Sequence, residues 1–435
     1  MCSEANNPIP DYSLQPDIRS FSSMRLNVDE PLVLPNGVRI FVIDGGAHDI
    51  NRIEVAFGGG TFDESKPMTA TLMASMTMHG NTTYSSQDVA EKLDFCGSWF
   101  GSRCLDHHTT ITLHSLNRCF ADILPMFTDI IMHPAFPEKE FDLTKAKMCS
   151  AYRTARDKVK YLANLEASRL FFGESHPLAR DITDAHFDDI STDDLRAFHH
   201  RYYQPQNCTI VLSGRITDEI LNLVTDTFAA LPAGYGVPEP HAFAINRSDT
   251  RFSSLHHPGA VQSGISMFLP APPRSHSDYI KLRVLIMALG GYFGSRLMSN
   301  VREDKGYTYG ITASLLGRAS CANIAIATEC DNAYVSPLID EVRREIDRLS
   351  HEPIPDDELS MVKQFIMSDL AKTLETPFSI ASYVDSTLFF GVSPDYFNRQ
   401  VAEIGSVTPQ ELMAMAQKYL HADDATIVVV GDNEK

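Results

Sequence analysis

The sequence lacks several patterns that mark common classes of protein. Its eight cysteines form no Cys-x-x-Cys pair, so scattered buried thiols are expected rather than a metal or redox motif. No apolar run reaches about 18 residues, and no membrane-spanning helix is expected. With 37 Lys and Arg against 56 Asp and Glu, the formal net charge is −19. Because no basic stripe offers contacts to phosphates, a nucleic-acid partner is not expected.

Familiar catalytic signatures are also absent. The sequence holds neither Gly-x-Ser-x-Gly nor His-Glu-x-x-His, so an enzyme with its own mechanism would need a site assembled only by the fold. The local histidine cluster from Asp106 to His114 places His108 and His114 on one face if the segment is a strand. These two histidines could bind a metal ion together, but the sequence offers no obvious third donor. Histidines on the polar face of a strand are the simpler interpretation.

The first 23 residues are polar and contain proline, without the basic and apolar pattern of a signal segment. As the sequence stands, we expect a cytoplasmic protein. A periplasmic location would follow if a signal had been removed before this numbering starts, and Cys2 would then be a candidate for lipid anchoring. The composition, 43% hydrophobic and 21% charged, is ordinary for a globular protein.

Two halves of the chain repeat each other in order, with a nearly constant offset. Such ordered matches are improbable by chance and indicate a duplication. The matching segments are Pro137 with Pro355, Glu140 with Glu358, Phe171-Phe172-Gly173 with Phe389-Phe390-Gly391, and Thr209-Ile210-Val211 with Thr426-Ile427-Val428.

The order of predicted elements within each half favours an α+β fold. Asn36-Gly37, at the centre of EPLVLPNGVRIFVID, predicts a β-hairpin. Runs of helices against mostly antiparallel strands predict two homologous α/β sandwich domains, each large enough for its own core. Helices are predicted over 66–79, 85–95, 116–131, 138–157 and 160–172. The predicted boundaries are a lead-in over 1–24, an N-terminal domain over 25–231, a Pro/Gly-rich linker over 232–243 and a C-terminal domain over 244–435.

The stretch from Gly290 to Gly310, GGYFGSRLMSNVREDKGYTYG, combines apolar residues at helical spacing with a following extended run. The spacing predicts that Arg302 lies at the end of a helix that stops at Gly306. Tyr309 then lies on the following strand. A guanidinium fork and a phenol that converge in this way can hold a carbonyl group or an oxyanion. The simpler alternative is a surface arginine and a half-buried tyrosine.

This stretch resembles the arginine/tyrosine box of the insulinase and pitrilysin-like metallopeptidases, also called inverzincins. The resemblance covers nearly the whole chain and points to the branch that includes the mitochondrial processing peptidase and its paired bacterial relatives. It implies a duplicated processing-peptidase-like fold. In that family the box grips the substrate beside a zinc ion held in a first-half domain. His-x-x-Glu-His on one helix and a distant Glu hold the zinc there, and the helix Glu acts as general base.

The zinc motif that the resemblance implies is missing from this chain. Counted back from Gly80, the two histidines of the motif would fall on Thr71 and Ser75, and its glutamate on Ala74. The distant glutamate ligand would fall near Tyr152. Zinc needs nitrogen, sulfur or carboxylate donors, and its water needs a base. We therefore expect a degenerate zinc site, with no metal and no cofactor in this chain.

In the paired bacterial relatives, one subunit carries the zinc and the other carries the arginine/tyrosine box. The resemblance therefore implies a non-catalytic subunit of a heterodimeric zinc metallopeptidase, active only as part of that complex. Arg302 and Tyr309 would bind the substrate carbonyl in trans. The expected partners are a zinc-bearing homologous subunit and a peptide substrate held as an extended strand.

Gly290, Gly291, Gly294 and Tyr307 complete the substrate-binding set that the resemblance implies. The glycines would let backbone amides approach an extended peptide, or they mark a tight helix bend that needs small residues, and the sequence favours neither. The alternative function is a catalytically inactive structural or peptide-binding homologue, resembling the core subunits of a respiratory complex. The intact arginine/tyrosine pair favours the peptidase subunit, since a scaffold has no evident reason to keep both.

Overall fold

A computed structural model of the chain describes residues 13–14, 24–239, 241 and 243–432, so most of the predicted lead-in lies outside the described residues. The predicted hairpin is confirmed at its expected place. Its strands are β1 (Leu32–Val33) and β2 (Arg39–Asp44), which pair antiparallel. Gly37 in the turn between them has a φ of 93°, in the left-handed region that glycine adopts without strain.

The first-half strands form one mixed sheet. The remaining strands of this sheet are β3 (Ile50–Gly58), β4 (Trp99–Cys104), β5 (His108–Leu116) and β6 (Cys208–Gly214). Their order is β1-β2-β6-β3-β5-β4, in which β2 and β6 are parallel and the other neighbours antiparallel. Ile53, Ala56 and Phe57 of β3 are buried, which shows that both faces of this central strand are covered.

The second-half strands repeat this arrangement. They are β7 (Phe252–His256), β8 (Gln262–Pro270), β9 (Thr308–Gly317), β10 (Ala322–Asp331) and β11 (Thr426–Gly431). Their order, β7-β11-β8-β10-β9, reproduces the order β2-β6-β3-β5-β4 of the first sheet. The described strands of each sheet contain one parallel pair, and β7 with β11 occupies the same place in the second sheet as β2 with β6 in the first. The predicted α+β class with a duplicated unit is confirmed. Strands β4 and β9 each lie at the edge of a sheet.

Helices cover these sheets, and those predicted in the first half are confirmed with small shifts at their ends. The first-half helices are α1 (Thr69–Met76), α2 (Ser86–Cys96), α3 (Asn117–Met132), α4 (Glu138–Arg156), α5 (Val159–Phe172), α6 (Asp184–Asp188), α7 (Thr192–Tyr202) and α8 (Asp218–Ala229). Those of the second half are α9 (Tyr279–Ile286), α10 (Val335–His351), α11 (Asp356–Lys372), α12 (Pro377–Leu388), α13 (Tyr396–Ser406) and α14 (Pro409–Tyr419).

Several helices begin at residues that satisfy their free amide groups. The Ser85 hydroxyl accepts from the Asp88 amide, and the Asp88 carboxylate accepts in return from the Ser85 amide at 2.8 Å. Thr408 and Glu411 form the same reciprocal cap at the start of α14. Proline at the first position of α14, Pro409, adds a preset φ angle and removes a donor that would have no partner.

The two halves exchange one helix each. Helix α5 of the first half packs on β8 and β11 of the second sheet, where Phe171 and Phe172 contact Phe268. Helix α12 of the second half packs on β2 and β6 of the first sheet through Ala381 and Val384. One face of each sheet is therefore covered by a helix that belongs to the other half of the chain.

Among the described residues, no helix combines the length and the apolar character needed to cross a membrane.

Candidate functional site

The helical run predicted to end at Arg302 is divided into two pieces. Helix α9 ends at Ile286 and continues as a wide turn, Met287–Gly291, in which Gly290 leaves helical backbone geometry. A second wide helical turn, Met298–Asp304, carries Arg302. Turns with this π-type hydrogen bonding are rare and are often found at functional sites, because they displace one residue from the regular helix surface.

The turn that carries Arg302 is fixed to α10 from behind. The Asn300 amide donates to Glu341 Oε2 at 3.1 Å and to Glu345 Oε1 at 2.8 Å. Burial alone would raise the pKa of Glu341, but hydrogen bonds from Asn300 and Arg344 outweigh it and the pKa is lowered. Val301 is fully buried in the core beneath the turn. The backbone at Arg302 is therefore held by a charged clamp and by packing.

The Arg302 side chain lies over an aromatic ring at the surface. Its guanidinium carbon is 4.6 Å from the centroid of Phe293, whose side chain is 63% exposed. This is the geometry of a cation–π contact. Among the described residues, no carboxylate or carbonyl lies within hydrogen-bonding distance of this guanidinium. Phe293 therefore orients a cation that keeps its donors available.

Tyr309 lies on a β-bulge at the start of the edge strand β9. Tyr309 and Gly310 together oppose the single residue Glu329 of β10, so the ladder is interrupted there. The Tyr309 side chain is 91% exposed, which differs from the half-buried tyrosine of the simpler sequence interpretation. A bulge re-aims side chains, and this one projects the phenol away from the sheet. The register pairs that flank the bulge are Thr308 with Cys330 and Ile311 with Thr328.

Two threonines pin the bulge, and sequence reasoning missed both. The Thr308 hydroxyl donates to the Glu329 carbonyl at 2.6 Å, and the Thr328 hydroxyl donates to the Gly310 carbonyl at 2.9 Å. The Gly310 amide donates back to the Thr308 oxygen at 3.1 Å. The signal that could have revealed them is Gly310 itself, since glycine inside a strand pattern often marks a bulge.

Arg302 and Tyr309 lie on segments that contact each other. The Tyr307 amide donates to the Val301 carbonyl at 3.0 Å, where Gly306, with a φ of 67°, ends the turn as predicted. Among the described residues, no hydrogen bond joins the two side chains directly. Tyr307 stacks on Tyr334, with ring centroids 4.9 Å apart. The structure thus places the two members of the pair on neighbouring segments without joining their side chains.

The three glycines of the predicted set lie in the wide turn and just after it. A Cβ atom on Gly290 would lie 2.7 Å from the backbone nitrogen and the Cβ of Ala313 on β9, too close for any side chain. On Gly291 it would meet the Met287 sulfur at 2.6 Å, and on Gly294 the Tyr292 ring at 3.0 Å. Close packing of the turn against β9 is sufficient to explain Gly290, which favours the tight-bend alternative there.

The predicted degenerate zinc position lies on α1 and α4, which pack together. Thr71 and Ser75 are half-buried on α1, Ala74 is buried, and Tyr152 of α4 stands 5.8 Å from Phe187 between ring centroids. Burial raises the pKa of Tyr152. Hydroxyl, methyl and phenol groups do not fit a zinc ion. Across the described ranges, no group of three or more His, Cys, Asp or Glu side chains is placed to hold a metal.

A buried carboxylate holds the start of α1. Glu64 accepts from the amides of Met68 and Ala70 at 3.1 Å each, and Arg180 donates to it at 3.0 Å. Burial raises the pKa of Glu64 to about 7, although these hydrogen bonds and the nearby guanidinium act to lower it. Sequence reasoning did not single out Glu64. Glu64 thereby satisfies two of the amides at the start of the helix.

The chain is similar in sequence to a known peptidase family model and to two bacterial proteins. Residues 189–366, which include Arg302 and Tyr309, match the family model described as the peptidase M16 inactive domain. The Helicobacter pylori protein named non-peptidase homolog YmxG is 21% identical over 391 residues, covering 88% of this chain and 89% of that protein. The Bacillus subtilis protein named uncharacterized zinc protease YmxG is 23% identical over 350 residues, covering 78% of this chain and 83% of that protein.

Solved structures show the same fold. The crystal structure of a peptidase M16 inactive domain from Pseudomonas fluorescens superposes with a TM-score of 0.86 at 21% identity, covering 94% of this chain and 99% of that one. A protease from Helicobacter pylori superposes with a TM-score of 0.84 at 16% identity, covering 93% of this chain and 99% of that one. The chain therefore shares the fold of these solved structures, and its residues 189–366 are similar to the peptidase M16 inactive domain.

Proposed function

We propose that this chain is the non-catalytic subunit of a heterodimeric zinc metallopeptidase. In this proposal Arg302 and Tyr309 bind the substrate carbonyl at the zinc site of a partner subunit. The observation that carries it is the presentation of both groups on backbone that hydrogen bonds hold: Tyr309 is exposed, and the half-buried Arg302 has its guanidinium over Phe293. The helix that would hold zinc here carries Thr71, Ala74 and Ser75 instead.

The two side chains suit the charge that develops on a carbonyl oxygen during peptide cleavage. The guanidinium of Arg302 is a cation that offers its donors in a planar fork. The phenol of Tyr309 adds one neutral donor. Removing a single donor of this kind from an acyl-transfer site typically lowers kcat by about 10²–10³. Each side chain is therefore a large and separable part of the proposed activity.

The surroundings of the pair suit a surface that a partner covers. Phe293 and Tyr309 are exposed large side chains, and Met361 and Phe365 of α11 add to the exposed apolar surface of this half. Aromatic residues and arginine are enriched at protein interfaces, where they bury large areas at low entropic cost. An exposed phenol gains a low-dielectric environment only when a partner closes over it, which is where a hydrogen bond to an oxyanion is strongest.

The proposal is tested by measuring peptide cleavage with this chain alone, with the zinc-bearing homologue encoded nearest to it, and with both. We expect cleavage only when both chains are present. That cleavage should be lost with Arg302→Ala and should not be restored by Arg302→Lys. Arg343→Ala on the exposed face of α10 is the matched control and retains cleavage. Cleavage by the isolated chain, or full cleavage by the Arg302→Ala mixture, overturns the proposal.

A peptide-binding protein without any peptidase role is the second candidate. The observation that favours it is the similarity of most of this chain to the Helicobacter pylori protein named non-peptidase homolog YmxG. The same assay separates the two functions. If the partner cleaves equally well alone, while this chain binds peptides without affecting cleavage, the second candidate replaces the first.

A further inference from the structure

A cavity of about 360 Å³ lies between the two halves, away from Arg302 and Tyr309. The turn between β4 and β5 forms one wall and the turn between β9 and β10 forms the wall opposite. Phe389 and Phe390, which follow α12, close it, and they belong to the duplicated Phe-Phe-Gly motif. The corresponding Phe171 is buried on the second sheet. The motif therefore occurs in both halves, and its second copy lines this cavity.

The cavity holds an arginine without a carboxylate partner. Arg274 lies over the rings of Phe390 and Tyr396, with its guanidinium carbon 5.0 and 5.1 Å from their centroids. Its hydrogen bond to the Ser386 carbonyl is long, at 3.5 Å. Among the residues that the structure describes, no Asp or Glu side chain forms an ion pair with Arg274. The two rings fix the guanidinium while its charge is left for another acceptor.

A second guanidinium is only partly satisfied. Arg318 donates from Nε to Asp106 Oδ2 at 2.7 Å, an ion pair that joins the two halves. Its Nη1 atom is buried and has no hydrogen-bond partner in the described part of the chain. A buried donor without an acceptor is costly, because it has given up its water. An anion in the cavity would supply that acceptor.

The histidines of the cavity wall do not contribute charge. His108 is 2% exposed and stacks on Phe389 at 3.9 Å between centroids. Burial, with a smaller effect of the nearby Arg103, lowers the pKa of His108 to about 3. Burial also lowers the pKa of His107. At neutral pH the charged groups of the lining are thus two guanidiniums against the single carboxylate of Asp106.

The remaining lining is mostly apolar. Leu105, Leu315 and Leu316 face the cavity with the two phenylalanines. Small-molecule sites commonly have this composition, with apolar walls that bury most of the ligand and a few polar groups that fix its orientation. A volume of this size admits a ligand with one ring or a branched chain of similar bulk.

We propose that this cavity binds a small monocarboxylate that carries an apolar group. The carboxylate pairs with Arg274 and with the partly satisfied guanidinium of Arg318, and the apolar group lies against Leu316 and Phe389. A single negative charge matches the excess of one guanidinium over Asp106 better than a doubly charged phosphate does. Two kinds of molecule carry such a group: a free organic acid, and a peptide whose C-terminal residue is apolar.

Calorimetric titration of the full chain tests this. The probes are 3-phenylpropionate and its neutral analogue 3-phenylpropionamide, together with Gly-Gly-Phe as a free acid and as a C-terminal amide. We expect saturable binding of the carboxylates and at least tenfold weaker binding of the matching amides. The relative affinity of the free acid and of the tripeptide then identifies the source.

Variants decide whether the binding belongs to this cavity. Arg274→Gln should weaken carboxylate binding at least tenfold, whereas Arg343→Gln on the exposed face of α10 should leave it unchanged. Leu316→Trp, at a partly exposed position of the lining, should fill the cavity and weaken carboxylate binding. This variant takes the place of Arg274→Gln in the binding test if Arg274→Gln does not give the wild-type circular dichroism spectrum. Absence of saturable carboxylate binding, equal binding of acid and amide, or unchanged binding in Leu316→Trp each overturns the proposal.

Discussion

The guanidinium carbon of Arg302 lies over Phe293, 4.6 Å from the ring centroid, and the ring itself is largely exposed. The contact holds a cation at the surface without using its hydrogen-bond donors. A carboxylate partner would have oriented Arg302 equally well but would have competed with a substrate carbonyl for the same donors. The aromatic support therefore suits a binding role better than a structural one.

Replacing Phe293 by alanine should lower peptide cleavage in the two-subunit mixture without unfolding the chain. An exposed cation–π contact contributes about 0.5–1 kcal/mol, so we expect a two- to sixfold loss of kcat/KM. The thermal midpoint of the isolated chain should stay within about 1 °C, because the ring is mostly exposed. Phe252→Ala, at a comparably exposed position on β7, is the control and should leave cleavage unchanged. Unchanged cleavage in Phe293→Ala would remove the orienting role assigned to the ring.

Thr328→Val should disturb the bulge that presents Tyr309. The change keeps the shape of the side chain but removes the hydroxyl that donates to the Gly310 carbonyl. We expect a loss of about 1–2 kcal/mol in the free energy of unfolding, measured with urea, together with weaker cleavage in the mixture. Thr312→Val on β9 is the control, because its hydroxyl makes only a 3.5 Å contact. Equal effects of the two changes would contradict the pinning of the bulge.

Part of this architecture could be predicted from the sequence because it depends on local patterns. The Asn36-Gly37 turn specified a hairpin, and the duplicated segments specified that one α+β arrangement occurs twice. The exchange of α5 and α12 could not be read in the same way. Helical periodicity shows which face of a helix is apolar, but not which of two sheets receives that face.

The sequence singles out the residues of the candidate site but does not give their geometry. Arg302 and Tyr309 stand out by residue type and spacing, yet the bulge beneath Tyr309 results from hydrogen bonds of Thr308 and Thr328, which are 20 residues apart. The role of Glu64 could not be predicted from the sequence for a related reason. Its contacts with the start of α1 and with Arg180 form only once the chain has folded.

Glu64 should make stability depend on pH in a defined direction. Burial raises the pKa of Glu64 in the folded chain to about 7, above the value of 4.5 for an unperturbed glutamate. The folded state therefore binds more protons than the unfolded state between these values. The contribution of Glu64 is most favourable below about pH 4.5 and is lost as the pH rises toward 7.

Glu64→Gln tests this contribution. The amide does not titrate, so the difference in the free energy of unfolding between pH 5 and pH 8 should shrink by about 1–3 kcal/mol relative to the wild type. Glu54 acts in the same direction, because burial raises its pKa to about 7, and it leaves a residual pH dependence in the variant. Glu219→Gln, at an exposed position on α8, should preserve the wild-type difference. An unchanged difference in Glu64→Gln would show that the carboxylate is ionised in the folded state as it is in the unfolded chain.

The duplicated Phe-Phe-Gly motif predicts unequal costs for the same substitution at equivalent places. Phe171 is 1% exposed and packs edge-on against Phe172 and Phe268, so Phe171→Ala leaves a cavity in a core that the two halves share. We expect a loss of about 3–5 kcal/mol in the free energy of unfolding. Phe389 is half-buried beside the cavity between the halves, and water can fill the space that Phe389→Ala leaves, so the expected loss there is about 1–2 kcal/mol. Urea unfolding followed by circular dichroism measures both values. If the two substitutions cost the same, the Phe389 ring is as fully enclosed in solution as the Phe171 ring, and the cavity beside it is closed.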